Sequence, residues 1–233
     1  NIPAIRLVEQ LGLPQLSDFS AKLGLPLPAP GNLTLALGTA EVSLLNLTAA
    51  YGVFANQGIQ VRPRGVQAVE DPQGRRVWQP EARQQVILSP AQAAVVTDML
   101  RAVVLEGTAR KARDLPLPVA GKTGTTDQYH DALFVGFSPS LAVGVWVGRD
   151  GSGTLGAKET GSRAALPIWI EFMASAMKME MESASQSEPR RQFPQPEETL
   201  RIFIDPESGV RVPQDSSRGR AALFIKGSEP GWP

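Results

Sequence analysis

The sequence predicts an α+β fold in which an antiparallel sheet packs against helices. Three stretches with strand character follow one another directly, at about residues 118–125, 131–138 and 141–148. Helical patterns lie before and after this run and do not alternate with it, so repeated βαβ units with a parallel sheet are not expected. Hydrophobic residues make up 42% of the 233 residues, which is enough for a substantial core.

The first part of the chain predicts two helices. Apolar residues between Pro3 and Leu11 recur at helical spacing, and Gly12 suits the end of that helix. From Ser43 onward apolar residues again recur every three or four positions, and Gly58 suits the end of the second helix.

Short hairpins and a third helix are predicted next. Residues 59–88 contain brief apolar–polar alternations around the turn signal Asp71-Pro72-Gln73-Gly74. Ser89-Pro90-Ala91-Gln92 is a helix start, because Ser can cap the helix, Pro suits its first turn and Gln92 completes a capping box. Gly107 suits the end of this helix.

The strand at 141–148 carries apolar residues on both faces. Val143, Val145 and Val147 alternate with Ala142, Gly144 and Trp146. This pattern predicts a strand that is buried on both sides. A last helix is expected over about 164–179.

The chain changes character after this helix. Polar residues and Pro dominate 182–198, which is typical of a linker, and a short strand follows from Leu200 to Ile204. We therefore divide the chain into a main part at 1–180, a linker at 181–199 and a small β-rich appendage at 200–233.

Composition excludes several chemistries. The chain has no Cys, which removes thiol nucleophiles, disulfides and thiolate-bound zinc, and its one His removes multi-histidine metal sites. A Ser-His-Asp triad would have to use His130, which we expect to be a solvated residue in a turn. The 23 basic and 23 acidic residues balance, so no nucleic-acid partner is expected. No metal or other cofactor is expected either.

The segment Gly121-Lys122-Thr123-Gly124-Thr125-Thr126 is the most specific motif in the chain. A phosphate-binding P-loop would need Gly five residues before Gly121, where this chain has Pro116, and a helix afterwards, where a strand is predicted. An alternative without function is an exposed strand lysine followed by a glycine bulge. A third interpretation is the Lys-Thr-Gly strand of serine acyl-transferases that react with penicillin.

The residues around this motif resemble the class A penicillin-binding proteins, the bifunctional peptidoglycan synthases. In that family a K-T-G-T-T strand is followed by D-A-W-F-V-G-F/Y-T-P and then by V-W-V-G. This chain has Asp131-Ala132-Leu133-Phe134-Val135-Gly136-Phe137-Ser138-Pro139 and then Val145-Trp146-Val147-Gly148, with Leu133 in place of the usual Trp. The resemblance covers roughly residues 1–175 and implies the fold of serine β-lactamases and transpeptidases.

The resemblance also implies roles for the motif residues. Lys122 would supply positive charge, and Thr123 and Thr125 would bind the substrate carboxylate, since hydroxyls two residues apart share one face of a strand. Gly124 would leave the other face bare, and Thr126 would complete the substrate-binding strand. The Thr125 N–H would donate to the developing oxyanion.

The family mechanism needs two further motifs before this one. The start of the chain resembles the family's S-x-N-[VIL]-P-A-[VI]-R-L, so Asn1 would be the Asn of the second motif, although it could also simply cap the first helix. Ser175-Ala176-Met177-Lys178 fits the first motif, S-x-x-K, but follows Lys122 and is therefore in the wrong order. The nucleophilic Ser and its Lys are expected upstream of this chain, which would be inactive alone.

The function implied is peptidoglycan cross-linking by D,D-transpeptidation through a serine acyl-enzyme. The expected partners are peptidoglycan stem peptides, β-lactam antibiotics and the preceding segment of the same protein. Such proteins lie on the extracytoplasmic face of the bacterial cytoplasmic membrane and are anchored by an upstream segment. The alternatives are a non-catalytic binding or scaffold module of the same fold, and a serine β-lactamase-like hydrolase.

Overall fold

A computed structural model describes most of the chain. It covers residues 2–29, 31–81, 83–126, 129–149, 151, 153–183 and 190–232. Within these ranges, every helix is too short or too polar to cross a lipid bilayer.

Helices precede the first strand of the molecule. Helix α1 spans Ile2–Leu11, as predicted, and α2 spans Leu13–Lys22, which the sequence analysis did not predict. Gly12 separates them with a φ of 88°, a left-handed conformation that Gly adopts without strain, and Pro14 lies in the first turn of α2. Helix α3 spans Leu44–Ala55.

Helix α4 spans Pro90–Leu105 and begins as its sequence predicts. The Ser89 hydroxyl accepts the Gln92 N–H at 3.2 Å, and the Gln92 side chain accepts the Ser89 N–H at 2.9 Å. This reciprocal pair satisfies two backbone donors that a helix start leaves without helical partners.

Two small antiparallel pairs lie between α3 and α4, in agreement with the prediction of hairpins. Strand β1 at Ile59–Val61 pairs with β4 at Gln84–Val86. Between them, β2 at Val69–Glu70 pairs with β3 at Arg76–Trp78. The turn of this inner hairpin is held by Asp71, whose carboxylate accepts the Arg75 N–H at 2.8 Å.

The main sheet has three antiparallel strands in the order β5-β6-β7. They span Ala120–Thr125, Asp131–Phe137 and Ala142–Gly148, close to the three predicted ranges. The prediction that the third strand is buried on both faces is wrong, because no residue of β7 is fully buried and Trp146 is 49% exposed. The central strand β6 is the buried one. An apolar pattern on both faces does not by itself tell a central strand from an edge strand.

One face of the sheet packs against the last helix. Helix α5 spans Leu166–Glu182 and is preceded by a π-helical turn at Gly161–Ala165. Trp169 is fully buried, with its ring centroid 4.9 Å from that of Phe134 on β6. The Trp169 indole N–H donates to the Val143 carbonyl at 3.0 Å, which ties α5 to β7.

The other face packs against α3. Phe137 on β6 lies among Tyr51, Phe54 and Phe193. Phe193 belongs to the stretch predicted as a linker, and its ring meets that of Phe137 edge-on with centroids 5.6 Å apart. The chain that leads to the C-terminal hairpin therefore contributes one aromatic side chain to the core.

The C-terminal hairpin consists of β8 at Thr199–Ile204 and β9 at Arg220–Ile225. It is attached to α4 through Asp98, whose carboxylate accepts a hydrogen bond from Arg201 at 2.7 Å. The division at residues 180 and 200 stays a prediction. The fold class is confirmed: the chain is α+β, with an antiparallel sheet flanked by helices.

Candidate active site

The motif from Lys122 to Thr126 lies on β5, an edge strand of the main sheet. The Thr126 N–H donates to the Asp131 carbonyl, and from this bond the hydrogen-bonded pairs recur at every second residue of an antiparallel ladder. Thr123 and Thr125 therefore occupy the non-hydrogen-bonded positions. Their backbone N–H and C=O groups point to the open edge of the sheet.

Lys122 is exposed on this strand. By strand alternation its side chain belongs to the face that carries Ala120 and Phe137, opposite to the face of Thr123 and Thr125. Its ammonium group curls over the open edge and donates to the Thr123 carbonyl at 2.9 Å. The positive charge is thus at the edge to which the backbone of Thr123 and Thr125 points.

Thr123 has a hydroxyl partner from another part of the chain. The Oγ1 atoms of Thr123 and Thr108 lie 2.9 Å apart, and either can be the donor. Thr108 follows the C-terminus of α4, so this helix end borders the motif. The sequence alone does not identify Thr108, because a Thr after a helix gives no local sign of a partner fifteen residues away.

Thr125 is held by a residue that lies 36 positions later in the chain. Its Oγ1 accepts the Gly161 N–H at 3.1 Å, at the start of the π-helical turn. Gly161 is packed so closely that a Cβ atom there would lie 2.5 Å from the Gly124 carbonyl oxygen. Gly161 is not identified by the sequence alone either.

The end of β5 is closed by Thr126 and Asp131. The Asp131 N–H donates to the Thr126 hydroxyl at 2.8 Å, and the Asp131 carboxylate accepts the Trp146 indole N–H at 2.9 Å. The hydroxyl of Thr126 is therefore already engaged in the turn, unlike those of Thr123 and Thr125, whose partners come from outside the hairpin.

The remaining predicted residues are placed as follows. Asn1 lies outside the described residues. Ser175 and Lys178 are exposed on α5, where Lys178 lies 4.0 Å from Glu182, in a surface ion pair. His130 is not simply solvated, as the sequence analysis expected: it is half-buried and its Nδ1 lies 2.9 Å from the Gly153 carbonyl oxygen.

Two clefts lie elsewhere on the described part of the chain. One of about 590 Å³ lies between α4 and the C-terminal hairpin, and one of about 710 Å³ lies between α3 and the β6–β7 turn. Neither is lined by residues 122–126. We place the candidate site at the strand edge, because the cation, the hydroxyls and the free backbone donors converge there.

Comparisons with known proteins identify the family of this chain. The family described as "Penicillin binding protein transpeptidase domain" matches residues 17–167. Penicillin-binding protein 1A of Aquifex aeolicus is 41% identical over 99% of this chain, which covers 30% of that relative. The chain therefore spans about a third of the length of this curated relative.

Several solved structures are similar to this chain. Penicillin-binding protein 1A from Haemophilus influenzae superposes with a TM-score of 0.82 at 24% identity. The superposition covers 99% of this chain and 39% of the Haemophilus influenzae chain. The PonA1 protein from Mycobacterium tuberculosis, in complex with penicillin V, superposes with a TM-score of 0.60 at 27% identity. The superposition covers 72% of this chain and 44% of the PonA1 chain. The family resemblance is confirmed: this chain belongs to the penicillin-binding protein transpeptidase family, as a transpeptidase part of the class A type.

Proposed function

We propose that this chain supplies the substrate-binding strand of a serine D,D-transpeptidase that cross-links peptidoglycan stem peptides. The observation that carries the proposal is the open edge of β5. There the Lys122 ammonium, the two Thr hydroxyls and the free Thr125 N–H lie on one short stretch of backbone.

These groups suit a substrate that ends in a carboxylate. Lys122 attracts the negative charge, and the hydroxyls of Thr123 and Thr125 donate hydrogen bonds to it. The Thr125 N–H donates to the oxyanion that forms when the adjacent carbonyl is attacked. Loss of one such donor typically lowers kcat by about 10²–10³. Thr126 closes the end of the strand, and Gly124 leaves the opposite face of the strand without a side chain, next to Leu133.

The reaction proceeds through an acyl-enzyme. A Ser upstream of this chain attacks the carbonyl of the penultimate D-Ala, activated by the Lys of its own S-x-x-K motif, and terminal D-Ala leaves. The amine of a neighbouring stem peptide then attacks the ester, releases the Ser and completes the cross-link. Asn1 contacts the substrate amide. β-Lactams acylate the same Ser.

The rest of the protein is proposed from the family resemblance. The preceding segment carries the nucleophile and an anchor, and the protein acts at the extracytoplasmic face of the bacterial cytoplasmic membrane. Residues 1–180 form the C-terminal part of the transpeptidase domain, 181–199 a linker and 200–233 an appendage. Similarity to PonA1, whose structure contains penicillin V, supports β-lactam binding.

Labelling with a fluorescent penicillin tests the proposal. The 233-residue chain alone should remain unlabelled, because Ser175 and Lys178 lie on α5 and not at the motif. The protein that contains the preceding segment should be labelled covalently at one Ser upstream of Asn1, as mapped by mass spectrometry. Stoichiometric labelling of the isolated chain, or of Ser175 in the longer protein, would contradict the proposal.

A further inference from the structure

Both Thr hydroxyls of the strand are contacted by groups that lie outside the motif. Thr123 meets the Thr108 hydroxyl at 2.9 Å, and Thr125 meets the Gly161 N–H at 3.1 Å. Each contact restricts the directions in which the hydroxyl proton can point.

The Gly161 contact has only one possible direction. A backbone N–H donates and never accepts, so Thr125 Oγ1 is the acceptor in this bond. The single proton of the Thr125 hydroxyl is therefore left to donate elsewhere. Close packing makes the geometry strict, since a Cβ at Gly161 would collide with the carbonyl oxygens of Leu133 and Gly124.

The Thr108 contact can run in either direction in the free protein. When Thr123 donates its proton to an anion, however, the bond can persist only if Thr108 donates to Thr123. Thr108 is well anchored for this role. The next residue, Ala109, is fully buried and its N–H donates to the Val103 carbonyl at 3.0 Å.

We propose that Thr108 and Gly161 are positioning residues, which hold the hydroxyls of Thr123 and Thr125 as donors toward the carboxylate of the substrate. This inference rests on the proposed function. A hydroxyl that accepts one hydrogen bond becomes a stronger donor in the next, and a donor that is already oriented loses less entropy on binding. Neither Thr108 nor Gly161 touches the reacting atoms.

Substitutions at Thr108, made in the protein that contains the preceding segment, test the positioning role of Thr108. Thr108→Val keeps the shape and removes the hydroxyl, whereas Thr108→Ser restores it. We expect Thr108→Val to lower the second-order rate of acylation by benzylpenicillin about five- to tenfold, the effect of one hydrogen bond, and Thr108→Ser to stay within about twofold of wild type. The methyl ester of benzylpenicillin, which lacks the anion, should acylate all three proteins at the same rate.

The comparison of acid and ester distinguishes a loss of hydroxyl orientation, which slows acylation by the acid alone, from general damage to the site, which slows acylation by both compounds. An equal loss for acid and ester in Thr108→Val, or no loss for the acid, overturns the inference while leaving the proposed function standing. A wild-type protein that benzylpenicillin does not acylate at all overturns the proposed function and the inference with it.

The variant Gly161→Ala tests the positioning role of Gly161, with Gly65→Ala as the matched control. Nothing lies within 4 Å of a Cβ at Gly65, so this variant should behave as wild type with both compounds. Gly161→Ala should lose more acylation with the acid than with the ester. A parallel loss with both compounds, or a loss with neither, contradicts the role of the Gly161 N–H.

Discussion

Replacing Asp98 with Ala should loosen the C-terminal hairpin from α4. The Asp98 carboxylate accepts two hydrogen bonds from the hairpin, one from Arg201 at 2.7 Å and one from the Leu223 N–H at 3.1 Å. Leu223 pairs with Arg201 across β8 and β9, so a single side chain of α4 contacts both strands. The substitution removes both bonds together.

The expected cost follows from the exposure of the partners. The bond to Arg201 is charge-assisted, but the Arg201 side chain is 36% exposed, and solvent screening reduces such a pair to about 0.5–1 kcal/mol. The Asp98 side chain is only 16% exposed, so the bond to the backbone contributes about 1–1.5 kcal/mol. We expect Asp98→Ala to destabilise the attachment of the hairpin by about 2 kcal/mol.

Hydrogen exchange measures this change locally. A loss of 2 kcal/mol should speed exchange of the Leu223 amide by at least about thirtyfold, since each 1.4 kcal/mol is about tenfold and the substitution also removes the acceptor of this amide. Asp98→Asn keeps a carbonyl acceptor for the Leu223 N–H and should lose about half as much. Asp114→Ala is the control, because Asp114 is 84% exposed and its ion pair with Arg113 should contribute little. If Asp98→Ala and Asp114→Ala gave the same exchange rates, the account of Asp98 as the attachment point would be wrong.

Three further outcomes are expected. Lys122→Ala in the protein that contains the preceding segment should abolish penicillin labelling and leave the melting temperature unchanged, because the Lys122 side chain is exposed. The control variant Lys178→Ala should retain labelling. If Lys122→Ala retained labelling but melted several degrees lower, this prediction would be wrong. Trp169→Ala should cost about 3–5 kcal/mol in urea unfolding, since the ring is fully buried, and a cost below 1 kcal/mol would refute its place in the core. The Asp71 carboxylate accepts the Arg75 backbone N–H, which lowers the Asp71 pKa below 3.8. The stabilising effect of the Asp71 carboxylate is therefore complete above pH 3.8 and is lost as pH falls through the lowered pKa. Asp71→Asn should make the folding stability depend less on pH in the acid range. An Asp71 pKa at or above 3.8 by NMR titration would contradict this.

Much of the fold could be predicted because it depends on neighbours in the sequence. The capping box of Ser89 and Gln92 involves residues three apart, and the structure contains both of its hydrogen bonds. The three strands of the main sheet lie within a residue or two of their predicted ranges, because short turns join them and antiparallel pairing follows. Helix α2 was not predicted, because its apolar positions are few and Gly12 read as the end of helical structure.

The prediction for β7 failed for a physical reason. Its valines and small residues fit burial on either side, but the faces of a strand are buried only where other elements pack over them, and Trp146 stays half-exposed. Phe193 shows the same limit. Its polar surroundings predicted a linker, whereas its ring packs edge-on against Phe137, far away in the sequence.

The local sequence is enough to predict a cation and two hydroxyls at the candidate site, with the hydroxyls on a common face. Lys122, Thr123 and Thr125 are adjacent in the chain, and the alternation of a strand places the Thr side chains together whatever surrounds them. The tertiary structure alone decided that β5 is an edge strand with free backbone donors. It also decided which groups orient those hydroxyls, because Thr108 and Gly161 lie 15 and 36 residues away from their partners. Local periodicity carries no information about contacts at such separations, which form only when α4 and the π-helical turn pack against the sheet.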